Sequence, residues 1–175
     1  RDVARALASF DAILIGGQAL SPVLAARAAA LGARIVRTYG STETSGGCVY
    51  DGVPLPGVDL RVVDGEVQVS GPTLADGYLD ADLTERVFVR DPHGTRWYRT
   101  GDAGSVTDGV LSITGRIDNV IVSGGINISL DRVERVIQAL PGLDAAVVIP
   151  IADERWGQAS AIVVERSALP HDDQS

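Results

Sequence analysis

The chain has no lysine and no methionine, only one cysteine, and few aromatic residues. A single cysteine, Cys48, excludes an internal disulfide and favours a reducing compartment, so we expect a cytoplasmic protein. Apolar runs are also short, and none of them reaches the roughly 18 residues that a membrane-spanning helix needs. We therefore expect no membrane span.

Positive charge is scarce as well. Fifteen arginines stand against 23 acidic residues, and the net charge is −8 at neutral pH. Proteins that bind nucleic acids tightly need cations that neutralise phosphates, so this balance argues against a nucleic-acid partner. Hydrophobic residues make up 45% of the 175 residues, which is enough for one ordinary domain or somewhat more. A homo-oligomer is left open.

Residues 1–50 alternate between strand and helix patterns. Two apolar runs, residues 12–15 and 33–37, flank an Ala-rich segment that begins at Ser21-Pro22 and favours a helix. This spacing predicts a parallel strand–helix–strand unit, whose ligands bind at the carboxyl ends of the strands. Two polar motifs, GGQ and YGSTE, follow those strands.

Residues 51–117 contain short strands separated by glycine and proline. Asp64-Gly65 and Asp108-Gly109 are typical of tight hairpin turns. The pattern predicts a β-rich region that resembles a small barrel or sandwich.

Residues 118–175 predict a third unit. A hairpin around Gly124-Gly125 is followed by a helix over residues 130–140 and strands over residues 145–149 and 159–164. We interpret this as a small, incomplete α+β domain. The expected fold is thus α/β plus a barrel-like region of a partial N-terminal domain, followed by a small C-terminal domain. We expect the chain to be part of a longer protein.

The YGSTE motif could bind a phosphorylated ligand. Hydroxyls and backbone N–H groups at a helix start suit a phosphate, and a neighbouring carboxylate can hold a magnesium ion that bridges phosphates. A tyrosine can cover a base. An equally weighted alternative is structural: Ser41 or Thr42 caps the next turn and Glu43 is only solvated.

Three further motifs can likewise be interpreted either as structural or as functional. The glycines of IGGQAL form a turn or let a flat ligand approach the backbone closely. YRTGD is a turn between strands or places a carboxylate on ribose hydroxyls. GRID, followed by SGGINIS, contains a surface arginine and a hairpin turn, or marks a hinge between two units.

Taken together, in this order and spacing, the motifs resemble those of the adenylate-forming superfamily, which comprises acyl-CoA synthetases, luciferases and the adenylation domains of peptide synthetases. YGSTE matches the Tyr-Gly-x-Thr-Glu motif of the superfamily, YRTGD its Tyr-x-Thr-Gly-Asp motif, and GRID its Gly-Arg-x-Asp hinge. The resemblance extends from IGGQAL to about residue 164.

The resemblance implies that ATP or AMP is bound. Thr42 would bond the α-phosphate, Glu43 would hold magnesium (Mg²⁺), and Asp102 would bind the ribose hydroxyls. Tyr39 would pack on the adenine. The implied nucleotide-binding positions are Gly16, Gly17, Gln18, Tyr39, Gly40, Ser41, Thr42, Asp102 and Arg116.

The resemblance also implies two half-reactions. Asp118 would be the pivot on which the C-terminal domain rotates between them, so the implied catalytic positions are Thr42, Glu43 and this hinge residue. Gly124 and Gly125 would let the pantetheine arm of coenzyme A (CoA) pass along the backbone.

The chain also departs from the superfamily pattern. The phosphate loop that ends in Pro-Lys-Gly and the catalytic lysine have no counterpart in these 175 residues. Asn127 stands where many relatives have a basic residue. We therefore predict that the parent protein is an enzyme but that these residues alone are inactive, because the transition state would lack its cationic groups.

The segment GGCVYDGVPLPGV, residues 46–58, resembles the actinobacterial o-succinylbenzoate–CoA ligases of menaquinone synthesis. These enzymes form an acyl-AMP from ATP and an aromatic dicarboxylate and then transfer the acyl group to CoA. A fatty acyl-CoA ligase or another adenylate-forming enzyme is the alternative. A non-catalytic adenylate-binding domain is the alternative of another class.

Overall fold

The computed structural model of the protein describes residues 2–165 and has a mixed α/β architecture with three separate sheets. The described residues form two compact units. The first contains residues 2–20 and 24–114, and the second contains residues 21–23 and 115–165. No helix in the described range is long and apolar enough to cross a membrane.

The first unit begins with the predicted alternation of helix and strand. Its first four elements are α1 (Asp2–Ser9), β1 (Ile13–Ile15), α2 (Pro22–Ala30) and β2 (Ile35–Ser41). β1 and β2 are parallel, with Ile15 opposite Arg37. Pro22 occupies the first position of α2, where its missing N–H costs nothing. The predicted parallel unit is confirmed.

β2 is longer than its apolar run. It continues through Tyr39, Gly40 and Ser41, and it pairs with the antiparallel strand β3 (Gly46–Tyr50), which in turn pairs with β4 (Val53–Pro54). The expectation that YGSTE stands at the start of a helix is therefore only partly correct. Its first three residues stay extended because β3 supplies their backbone partners, and only Thr42–Thr44 forms a short 3₁₀ turn.

The second sheet of this unit is open. Its elements are β5 (Asp59–Val63), β6 (Glu66–Ser70), α3 (Ala81–Val87), β7 (Phe88–Arg90), β8 (Arg96–Thr107) and β9 (Val110–Arg116). The strand order is β5-β6-β8-β7, with β9 also paired to β8. The predicted barrel is wrong for the described residues, because the outer strands β5 and β7 do not pair with each other.

Both predicted hairpin turns are confirmed. Asp64 and Gly65 have φ values of 51° and 82°, and Asp108 and Gly109 have values of 51° and 78°. Two successive residues with positive φ match the right-handed twist of the flanking strands, which explains the Asp-Gly sequences.

The core of the first unit packs against Tyr39 of YGSTE and includes Tyr98 of YRTGD. Tyr39 and Tyr78 are partly buried against this core, and Val67 and Val69 are fully buried within it. Each buried valine contributes about 1.5 kcal/mol or more to folding. The cluster consists of Cys48, Val49, Val58, Val67, Val69, Phe88, Tyr98 and Leu111.

The second unit is a four-stranded antiparallel sheet with one helix. Its elements are β10 (Val120–Ser123), β11 (Ile126–Ser129), α4 (Leu130–Gln138), β12 (Val147–Asp153) and β13 (Gly157–Val163), in the sheet order β11-β10-β13-β12. Ile121, Leu130 and Val148 form its small core. The predicted hairpin, helix and two strands are confirmed with shifted ends, whereas the domain limits at residues 50 and 117 remain predictions.

Candidate functional site

The glycines of the GGQ motif lie directly after β1 and beside Thr38. A Cβ atom on Gly16 would collide with the Thr38 hydroxyl, and Gly17 has a φ of 85°. Gly16, Gly17 and Gln18 are exposed to solvent. This segment therefore needs glycine for its own geometry and also presents bare backbone to any ligand that binds there.

Gly40 permits a close approach between β2 and β3. A Cβ at this position would collide with the carbonyl oxygen of Gly46 and lie 2.8 Å from the Cα of Gly47. The pairing register shifts at the same place, between Tyr39 and Gly40. The motif therefore depends on a glycine whose neighbours are backbone atoms that cannot rotate away.

We expect Gly40→Ala to lower the free energy of unfolding by about 1–3 kcal/mol, because the added methyl overpacks rigid backbone. Gly47→Ala is the matched control, since the nearest atom to its Cβ is the Tyr50 hydroxyl oxygen at 3.2 Å, the end of a side chain that can move. Urea unfolding followed by circular dichroism measures both variants. Equal stability of the two variants would show that the strand separation adjusts.

Thr44 fixes the turn that follows. It is 2% exposed, accepts the Ser41 N–H at 2.8 Å through its Oγ1, and donates to the Gly46 carbonyl at 2.7 Å. The turn is thus held from inside by a residue that the sequence did not single out, while Thr42 remains exposed.

Glu43 is held from the side by the segment before α3. The Tyr78 hydroxyl donates to Glu43 Oε1 at 2.6 Å, and the Ala75 N–H donates to the Glu43 carbonyl at 2.8 Å. Burial raises the pKa of the Glu43 carboxyl, but hydrogen bonds from Tyr78 and Ser41 outweigh burial, and the net shift is downward. The carboxylate is therefore ionised at neutral pH.

Asp102 lies within β8, not behind a turn as one interpretation of YRTGD had it. A bulge in β8, with Gly101 at a φ of 71°, turns the chain locally without ending the strand. Asp102 Oδ2 accepts a hydrogen bond of 2.7 Å from the Tyr39 hydroxyl, 63 positions away. Burial is the main cause that raises the pKa of the Tyr39 hydroxyl, and the neighbouring Asp102 carboxylate raises it further. The phenol therefore keeps its proton and remains a hydrogen-bond donor.

Three of the four tyrosines of the chain converge on this region. Tyr39 contacts Asp102, Tyr78 contacts Glu43, and the Tyr98 hydroxyl lies 3.4 Å from the Ser41 hydroxyl. Sequence reasoning missed Tyr78 and gave no role to Tyr98, the first residue of the YRTGD motif. Its place in that motif was the available signal for Tyr98, whereas no local signal marked Tyr78.

The hinge motif lies in the second unit, where its side chains pair locally. Arg116 binds both carboxylate oxygens of Asp118, at 2.9 and 3.0 Å. Asp131, in the first turn of α4, accepts the backbone N–H of Arg116 and the side-chain amide of Asn119, both at 2.6 Å. The hydrogen bond from Arg116 lowers the pKa of Asp118.

Gly124 and Gly125 form the turn between β10 and β11. Gly124 has a φ of 56°, and a Cβ on it would lie 2.6 Å from the Trp156 ring. The Gly124 N–H donates to the Trp156 carbonyl at 3.0 Å. Gly124 is thus required for packing against Trp156, while the space beside Gly125 is open.

The first-unit residues combine a hydroxyl-rich turn, an ionised carboxylate and a tyrosine–aspartate pair. No group of three or more His, Cys, Asp or Glu side chains in residues 2–165 could hold a metal ion by itself. A cation at Glu43 would need oxygens from a bound ligand, which is how magnesium commonly bridges phosphates.

Comparison with known proteins agrees with this chemistry. Residues 2–79 match the protein family described as AMP-binding enzyme. The chain is 45% identical over 173 residues to the probable 2-succinylbenzoate–CoA ligase of Mycobacterium tuberculosis, which covers 94% of the chain and 43% of that protein. Residues 2–79 belong to the AMP-binding enzyme family. The resemblance to the adenylate-forming superfamily and to its o-succinylbenzoate branch is confirmed.

Other AMP-binding enzymes give the same result. The 2-succinylbenzoate–CoA ligase of Salmonella typhimurium is 36% identical, over 96% of the chain and 38% of that protein. Among solved structures, a variant of Escherichia coli MenE with bound OSB-AMS has a TM-score of 0.79 at 35% identity, over 90% of the chain and 36% of the MenE chain. The chain thus spans about two fifths of these relatives.

Proposed function

We propose that the chain is part of an ATP-dependent 2-succinylbenzoate–CoA ligase of menaquinone synthesis. A carboxylate oxygen of the acid attacks the α-phosphate of ATP and releases pyrophosphate, and the CoA thiol then displaces AMP from the acyl-adenylate. The hydrogen bond between Tyr39 and Asp102 carries this proposal, because it joins two distant motifs into one site. The 45% identity to a probable ligase of this kind supports the substrate.

The nucleotide is proposed to bind to the first unit. Tyr39 packs on the adenine, with its ring held against the core beneath it, and Asp102 accepts the ribose hydroxyls. Thr42, which is exposed, bonds the α-phosphate. The remaining proposed contacts are made by Gly16, Gly17, Gln18, Gly40 and Ser41.

Glu43 is proposed to hold Mg²⁺ together with the phosphates of ATP. The fit rests on its ionised carboxylate, one oxygen of which is fixed by Tyr78 at 2.6 Å. One protein carboxylate is sufficient where substrate phosphates supply further oxygens. When bound, the ion would neutralise charge on the phosphates.

The second unit is proposed to contribute to thioester formation. Asp118 is the proposed pivot, Arg116 assists at the ribose, and Gly124 and Gly125 border the path of CoA. In this proposal, residues 1–50 and 51–117 belong to an N-terminal domain and residues 118–175 begin a C-terminal domain. The phosphate loop and the lysine come from the rest of a longer, cytoplasmic enzyme.

Pyrophosphate release by the full-length protein tests the proposal. We expect release that depends on ATP and o-succinylbenzoate, with a thioester formed when CoA is added. Release only with fatty acids would identify a fatty acyl-CoA ligase instead. No release with any acid, while AMP still binds, would identify a non-catalytic adenylate-binding domain.

We expect Tyr39→Phe to raise the KM for ATP about tenfold with little change in kcat. The variant removes the hydrogen bond from the Tyr39 hydroxyl that holds the Asp102 carboxylate in place. Tyr39→Ala should have a larger effect, since it also removes the ring. Steady-state pyrophosphate release at varied ATP measures both variants. If Phe and Ala behaved alike, the ring would have no role in adenine binding.

A further inference from the structure

The bulge in β8 places Asp102, and its geometry is specific. Glu66 of β6 pairs with Ala103 and Gln68 pairs with Arg99, so residues 100–102 of β8 lie opposite the single residue Val67. A bulge of this kind re-aims side chains and removes regular ladder partners from its backbone groups. Those groups need other acceptors, because buried N–H groups without partners are costly.

Glu66 provides one of these acceptors. Its side chain is 11% exposed, its Oε1 accepts the Gly101 N–H at 3.0 Å, and its Oε2 accepts from Arg99 Nε at 2.9 Å. The side chain thus takes the place of a ladder carbonyl at the centre of the bulge.

Thr100 completes the same arrangement. Its hydroxyl donates to the Val67 carbonyl at 2.7 Å and accepts the Asp102 N–H at 3.0 Å. The Thr100 hydroxyl therefore links the bulge to β6 and also holds the backbone of Asp102. Asp102 emerges from this anchored segment and receives the Tyr39 hydroxyl.

We infer that Glu66 is a positioning residue that fixes the β8 bulge and thereby aims the Asp102 carboxylate at the nucleotide. The effect on ATP rests on the proposed function, whereas the effect on the bulge does not. Glu66 itself does not touch the ligand in this scheme. It acts through the Gly101 N–H and the backbone of Asp102.

The ion pair between Glu66 and Arg99 offers an alternative role for the Glu66 side chain. The Arg99 side chain is 49% exposed, and ion pairs at the surface contribute little to stability. If Glu66 served only this pair, removing Arg99 would have the same consequence as removing Glu66. The bond to Gly101 predicts a different result, because the Glu66 side chain accepts a backbone N–H of the bulge and the Arg99 side chain does not.

The test uses Glu66→Ala, Glu66→Gln and Arg99→Gln in the full-length protein. Glutamine keeps an oxygen that can accept the Gly101 N–H, so we expect near-wild-type behaviour from it and from Arg99→Gln. For Glu66→Ala we expect hydrogen exchange at the Gly101 and Asp102 amides to accelerate about tenfold, because the local opening becomes easier. We also expect the KM for ATP to rise about tenfold with kcat within about twofold.

A double-mutant comparison links Glu66 to Asp102. Glu66→Ala should add little to the KM increase of Asp102→Ala, since residues that act through one another are not additive. Additive effects would overturn the inference, as would unchanged amide exchange in Glu66→Ala or an equal effect from Arg99→Gln. Absence of pyrophosphate release by the wild-type protein would overturn the proposed function instead, and amide exchange would still decide the role of Glu66 at the bulge.

Discussion

Glu43→Gln is expected to lower the rate of adenylate formation about a hundredfold, because it removes the charge that would hold Mg²⁺ on the phosphates. The substitution is nearly isosteric. Glutamine keeps an Oε1 that can accept the Tyr78 hydroxyl, so the packing of the turn should survive. The measurement is ATP–pyrophosphate exchange in the full-length protein over a series of Mg²⁺ concentrations.

The dependence on Mg²⁺ separates a metal role from a structural one. Weakened metal binding should be partly recovered at high Mg²⁺, whereas a distorted turn should not be. Glu85→Gln is the matched control, since Glu85 is an exposed glutamate of the same unit and should show wild-type exchange. Unchanged exchange in Glu43→Gln would exclude Glu43 from the metal site.

The ionised state of Glu43 makes this prediction specific. Its pKa is shifted downward despite partial burial, because Tyr78 and Ser41 donate to it. The variant therefore replaces a charged carboxylate with a neutral amide throughout the neutral pH range. A Tyr78→Phe variant does the reverse, because it removes the hydrogen bond to Glu43 but leaves the charge, and a smaller loss is expected from it.

Local signals in the sequence were enough to predict most strands and turns. The Asp64-Gly65 and Asp108-Gly109 hairpins follow from the φ values that such turns require, and α2 follows from Ser21-Pro22 at its start. These features depend on a few adjacent residues. All the residues that determine each feature lie within the segment that forms it.

Features that depend on distant partners could not be predicted in this way. The extension of β2 through Ser41 depends on its pairing with β3, and the Gly101 N–H in the bulge finds its acceptor in a side chain 35 positions away. The contact between Tyr78 and Glu43 likewise spans 35 positions. No local pattern marks Glu66 or Tyr78, because their importance lies in the group that each one reaches.

The order and spacing of the motifs identified more residues of the candidate site than hydrophobic and turn patterns did. Tyr39 and Asp102 were singled out as members of two different motifs, and the structure places the Tyr39 hydroxyl 2.7 Å from Asp102 Oδ2. The open second sheet was predicted as a barrel because short strands with glycine turns are common to both architectures. The difference lies in whether the outer strands pair, and single strands do not reveal that.

Asp118→Pro is expected to reduce one half-reaction about a hundredfold and to affect the other much less. A fixed hinge holds the domain arrangement that suits one half-reaction, so the residues needed for the other half-reaction are misplaced. Proline fixes its own φ and restricts the preceding residue, Ile117. Adenylation is measured by ATP–pyrophosphate exchange. Thioester formation is measured separately, by adding CoA to preformed acyl-adenylate.

The substitution also removes the carboxylate that binds Arg116 through two hydrogen bonds. Asp118→Ala removes the same carboxylate without restricting the backbone, so it serves as the control. We expect both half-reactions of this control to stay within about tenfold of wild type, since an exposed ion pair contributes little. Proline and alanine variants with the same losses would show that the carboxylate matters and the hinge does not. Equal loss of both half-reactions in the proline variant, with a lower Tm, would indicate misfolding, because the Arg116 backbone is anchored to Asp131 next to this position.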